Sequence, residues 1–176
     1  MLSTHDPDWF AEFTALKTVY SETLGNLILS VEHVGSTAVP DLLAKPTLDI
    51  DLVMRDYSVF YAIVVGLRGL GYVHNGDQGI YQREAFKPNG AAAPNVLRSS
   101  GWMHHHLYVC PVFGKELRRH IRFRDALRAD ADLRREYETI KMNIANRSDG
   151  DRRRYAEIKE RECADFIERV LTQQDR

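Results

Sequence analysis

VEHVGSTAVPDLLAKPTLDIDLVM, Val31 to Met54, holds a Gly-Ser turn, one lysine and two aspartates a single residue apart within twenty-four positions. The aspartates interrupt an apolar, strand-like run. On a strand, side chains two residues apart point to one side, so Asp49 and Asp51 project together while Leu48, Ile50 and Leu52 face away. Two rises of ~3.3 Å put them roughly 7 Å apart. Parallel carboxylates that close repel unless positive charge lies between them. A divalent cation supplies it, and Mg²⁺ favours one or two carboxylates completed by substrate phosphate oxygens. A bare Asp-x-Asp is more often the wet face of an amphipathic strand. Asp is disfavoured in strands, however, and this pair follows a turn suited to anions. Gly35 permits close backbone approach, Ser36 adds a hydroxyl donor, and the amides opening the next segment form a phosphate nest. Lys45, ahead of the stiff Pro46, is placed to contact phosphate near Asp49.

Periodicity supplies the surroundings. DWFAEFTALKTVYSETLGN (residues 8–26) repeats apolar residues at helical spacing, with Asp8 as cap and Gly25 as stop. LILSVEHV (27–34) and TLDIDLVM (47–54) read as strands, and STAVPDLLA (36–44) between them as a short helix opening at Ser36. YSVFYAIVVGLRGLG (57–71) is a helix ended by Gly69 and Gly71. GIYQREAFKP (79–88) and MHHHLYVCP (103–111) read as two further strands, joined by the mobile loop NGAAAPNVLRSSG. In the charged C-terminal third, Leu133, Tyr137, Ile140 and Ile144 share one helical face, and Tyr155 through Leu171 build another. The expected fold is a small mixed sheet, α/β (α+β), flanked by helices, with a helical C-terminal section, all in one domain over residues 1–176.

In this setting the chain resembles the GrpB family, a branch of the nucleotidyltransferase superfamily. The superfamily pattern is hydrophobic-Gly-(Gly/Ser), a spacer, then Asp-hydrophobic-(Asp/Glu)-hydrophobic. Val34-Gly35-Ser36 and Asp49-Ile50-Asp51-Leu52 fill it. REAF (83–86), HHHLYVC (104–110) and YAEIK (155–159) resemble the family's Arg-Glu-aromatic strand, His-His-Leu-His-Val strand and closing Tyr-x-x-x-Lys helix. Asp41, where the family usually has Gly, and Tyr108, outside the histidine cluster, depart from it. The resemblance implies that Gly35, Ser36 and the adjoining Thr37 hold nucleoside triphosphate, with Arg83 and Lys159 as further phosphate contacts. It also implies that Asp49 and Asp51 bind Mg²⁺ or Mn²⁺. An acceptor hydroxyl, on a small molecule or a protein, then attacks the α-phosphate and expels pyrophosphate. The superfamily's third carboxylate is not found in HHHLYVC, and Glu84 is the best local candidate. The alternative is a non-catalytic nucleotide-binding domain that assists a partner enzyme such as dephospho-CoA kinase.

His104 and His106 share a strand face and suit phosphate, metal or proton transfer near neutral pH. As a zinc hydrolase site the pair lacks an assignable third ligand. A formal charge of -1 argues against a general nucleic-acid coat. No signal peptide and no apolar run of ~20 residues is visible, and the two cysteines match no disulfide or zinc framework. A cytoplasmic protein is expected. The transferase expectation fails if the two aspartates diverge or are neutralised by a cation from within the fold.

Overall fold

A computed structural model describes residues 2–90, 92–149 and 151–173. Five strands form one mixed sheet in the order β1-β2-β5-β4-β3: β1 (Ile28–Val34), β2 (Leu48–Met54), β3 (Tyr72–His74), β4 (Glu84–Pro88) and β5 (His105–Pro111). β2 and β5 run parallel at its centre, and every other pairing is antiparallel. Helices α1 (Asp8–Leu24) and α2 (Phe60–Gly69) cover one face, and α3 (Lys115–Ala129), α4 (Ala131–Arg147) and α5 (Arg152–Gln173) gather on the other.

Alternation along β2 sets the two faces apart. Leu48, Ile50 and Leu52 bury against Trp9, Phe13 and Leu16 of α1 and Ile63 and Leu67 of α2, together with Leu107 and Val109 of β5. The opposite face carries Asp49 and Asp51, with Val53, Cys110 and Leu117 packed together beyond them. A second core joins α3, α4 and α5, where Tyr137 stacks on Phe166 at 5.3 Å and Phe123 meets both rings edge-on. Val39 and Leu42, from the segment between β1 and β2, plug into that core and are fully buried. The segment therefore ties the helical section to the sheet.

Three local expectations change. The helix expected at Ser36 is a single 3-10 turn, Ser36–Ala38. Asp8 lies in the first turn of α1 rather than capping it; Pro7 stands at the cap and Asp6 accepts the Asp8 amide. The strand expected from Gly79 begins only at Glu84, because Gln78, Gly79 and Gln82 take positive φ, which an extended strand does not use. The short edge strand β3 and helix α3 had no counterpart in the periodicity reading.

Candidate active site

The turn after β1 is shaped around Asp49. Gly35 has φ 71 and ψ -171, a region open in practice to glycine alone. A Cβ there would lie 2.1 Å from Asp49 Oδ2. Glycine is thus required by the carboxylate as much as by any ligand. Beyond Asp49 opens a cleft of about 200 Å³, lined by Ser36, Lys45, Thr47, His106, Lys141, Tyr155 and Lys159 among others. Three lysines converge on it. Lys45 Nζ sits 3.8 Å above the Tyr155 ring. Lys141, 1% exposed, donates to Leu43 O. Burial, reinforced by the charge of Lys159, presses its pKa down to about 7. Lys159 is held above the ordinary lysine range, chiefly by the Tyr137 phenol, with Asp49 and Tyr155 adding to it. Burial raises the pKa of Asp49, while His106, Lys159 and His120 pull the other way.

Asp51 is completely buried. Its Oδ2 accepts a hydrogen bond from Nδ1 of His120 at 2.7 Å, and its Oδ1 has no hydrogen-bond partner. His120, on α3, also places Nε2 3.3 Å from Glu116 Oε1. Burial opposes charge on this imidazole, but the two carboxylates outweigh it and push its pKa up to about 10. A cation from within the fold therefore meets one of the two aspartates, through one oxygen.

The other expected residues divide. Gly35, Ser36, Lys45, His106 and Lys159 meet at the cleft with Asp49. The His104 ring lies 5.5 Å from that of His106. Arg83 stacks its guanidinium 4.5 Å over the Tyr108 ring, and its Nε is buried without a partner. Thr37 turns inward, pairing with His33 Nε2 at 3.0 Å and donating to Thr47 O at 3.3 Å, so it braces the loop rather than facing the cleft. Glu84 is the larger correction. It pairs in register with Val109, which places it on the face away from the aspartates, and it bonds Tyr57 and His74 there. Tyr108 stands opposite Asp51 on β5, with Ala85 next across the sheet. Among the described residues no group of three or more His, Cys, Asp or Glu is placed to hold a metal ion. Among the described residues His104 and His106 therefore have no third zinc ligand.

The residues nevertheless fit a hard divalent cation completed by phosphate. Two carboxylates share one strand face, Asp51 bears a buried oxygen with no hydrogen-bond partner, and a lysine-lined cleft opens beside Asp49. His120 and Lys141 were missed in the sequence. The available signal was a polar residue on an apolar helical face, since Lys141 falls between Tyr137 and Ile144, both buried.

Comparison with known proteins follows the same lines. A UPF0157 protein of Halalkalibacterium halodurans is 31% identical over 96% of this chain and 81% of its own length. A dephospho-CoA kinase of Mycolicibacterium paratuberculosis is 28% identical over 88% of this chain, which spans only 42% of that protein. The crystal structure of conserved protein GrpB from Enterococcus faecalis superposes over the whole of both chains with a TM-score of 0.80 at 22% identity. The Cid1 poly(U) polymerase bound to MgATP matches 84% of this chain and 46% of its own, with a TM-score of 0.56 at 15% identity, a likeness of fold. No helix among the described residues is long and apolar enough to cross a membrane. The nucleotidyltransferase-like sheet is thus shared with proteins of little sequence identity, and because the GrpB protein family profile matches residues 1–173, the chain belongs to the GrpB family.

Proposed function

We propose that the protein binds a nucleoside triphosphate with Mg²⁺ (or Mn²⁺) and transfers the nucleoside monophosphate to a hydroxyl acceptor. The observation that carries this reading is the convergence of Lys45, Lys141 and Lys159 on a cleft bordered by Ser36 and Asp49. Clustered cations in a protein of net charge -1 suit a polyanion, and a triphosphate is the polyanion that such a turn accommodates. Asp49 and Asp51 would hold the cation, which offsets charge on the phosphates and on the attacking oxygen. Ser36 and the lysines bind and orient the phosphates, and Tyr155 holds Lys45 over the cleft. Bound phosphate also favours protonation of Lys141, raising a pKa that burial has lowered. Two free, buried cysteines accord with a reducing compartment such as the cytoplasm.

Melting curves test this directly. At 100-fold Kd, ligand binding to the folded state alone adds ~2.7 kcal/mol, or roughly 5–10 °C in a chain of this size. One of the four triphosphates with Mg²⁺ should produce that shift. Asp49→Asn combined with Asp51→Asn should abolish it. No shift with any triphosphate overturns the reading.

One observation favours a second reading, a nucleotide-binding domain that assists a partner enzyme. Glu84 faces the wrong side, Tyr108 occupies the place opposite Asp51 on β5, and Glu32, opposite it on β1, is engaged by Arg124, so among the described residues no uncommitted third acid stands beside the pair. Similarity to part of a longer dephospho-CoA kinase points the same way. Nucleotide binding without pyrophosphate release across a broad acceptor screen selects this alternative.

A further inference from the structure

β2 presents two carboxylates to the cleft face, and the fold constrains both. Asp49 packs its Oδ2 against Gly35, where not even a methyl group would fit. Asp51 accepts a hydrogen bond at Oδ2 from His120 Nδ1 at 2.7 Å and keeps Oδ1 without a partner. His120 is itself held at both ends, since Glu116 Oε1, one helical turn earlier, lies 3.3 Å from Nε2. Neighbouring Leu117 and Ile121 pack with Val53, Cys110 and Tyr108, fixing α3 on the sheet above Asp51. Asp51 itself is fully buried.

A pair of cations bridged by two aspartates calls on both oxygens of a bridging carboxylate and usually on another acid. Here one Asp51 oxygen is engaged by an N–H donor, the neighbouring β5 position holds Tyr108, and Glu32, in register with Asp51 on β1, is tied to Arg124 at 2.9 Å. The geometry points to His120, anchored by Glu116, as a positioning residue that locks Asp51 with Oδ1 as its one remaining ligand atom, making this a one-cation site. The inference rests on Asp49 and Asp51 being the cation ligands of the proposed transferase. A hydrogen bond to the second oxygen of a ligating carboxylate fixes its orientation, and loss of such an outer partner lowers metal affinity about 10–100-fold.

Mn²⁺ titrated into the full chain, with free ion followed by electron paramagnetic resonance, reads both stoichiometry and affinity without any assay of activity. The wild-type chain is expected to saturate at one Mn²⁺. His120→Leu should bind about 10–100-fold more weakly. His120→Asn sets an amide N–H where the imidazole Nδ1–H stands, and it should recover most of the affinity. Glu116→Ala should lose affinity in the same direction, and it decides the matter if His120→Leu does not fold. Saturation at two Mn²⁺ per wild-type chain overturns the inference. So does a His120→Leu or Glu116→Ala variant that binds at least as tightly as wild type, and in that case cation binding by the aspartates stands. A wild-type chain that binds no Mn²⁺ removes the cation role of Asp49 and Asp51 together with the positioning role of His120.

Discussion

Gly35 and Asp49 sit fourteen residues apart in sequence and in van der Waals contact in the fold, so each restricts the other. Gly35→Ala brings a Cβ into the Asp49 carboxylate and strains a backbone conformation that other residues avoid. Together these should destabilise the protein by about 3 kcal/mol, measured as a shift in the urea midpoint with an unchanged slope. A loss below about 0.5 kcal/mol, the usual range of a surface substitution, would mean that the turn relaxes away from the carboxylate. That Asp49 and Asp51 share a face was legible, because the period of a strand is fixed by its backbone. What each carboxylate touches was not. His120 comes from 69 residues further along the chain, and no local pattern encodes that distance. Asp41 shows the same limit: its φ of 62 is one that glycine adopts freely, and no local pattern in the sequence marks it.

Single elements carry the lysines to the cleft, and α5 does so from the far end of the chain. It is docked by Cys163, Phe166 and Val170, with Phe166 stacked on Tyr137 of α4. Phe166→Ala should cost about 3–5 kcal/mol by chemical denaturation. It should also shrink the melting shift produced by Mg²⁺ and triphosphate, because Tyr155 and Lys159 lose their support. An unchanged shift would separate α5 from the nucleotide. The two C-terminal helices were readable because their apolar residues keep a 3.6 period. α3 was not, since KELRRHIRFRDALRA buries only Leu117, Ala126 and Leu127. Its charges look solvated in sequence but are used in the fold: Arg124 bonds Glu32 and His33 O, and Arg128 bonds Ala38 O. β3, three residues long, offers too short a window for any period to show.

Across the whole molecule, two cationic groups near the aspartates, half-buried His120 and buried Lys141, depend on pH in opposite directions. His120 has a folded pKa of about 10 against an ordinary 6.5, so between those values the folded chain holds a proton that the unfolded chain has released. Its contribution falls as pH rises through that range. Lys141 has a folded pKa of about 7 against an ordinary 10.5, so there the unfolded chain binds the extra proton. Its contribution rises with pH. Between about pH 7 and 8.5 the two slopes oppose one another, and the stability of the wild-type chain should be nearly flat. The buried thiols of Cys110 and Cys163, both raised by burial, act mainly above this window. Removing one partner exposes the other. Lys141→Met should lose stability as pH rises from 7 to 8.5, and His120→Asn should gain it, each by on the order of 1 kcal/mol. Urea unfolding in metal-free buffer at the two pH values measures both slopes. Slopes of the same sign in the two variants would mean that His120 is not held protonated by Asp51 and Glu116, or that Lys141 reaches water in the folded chain.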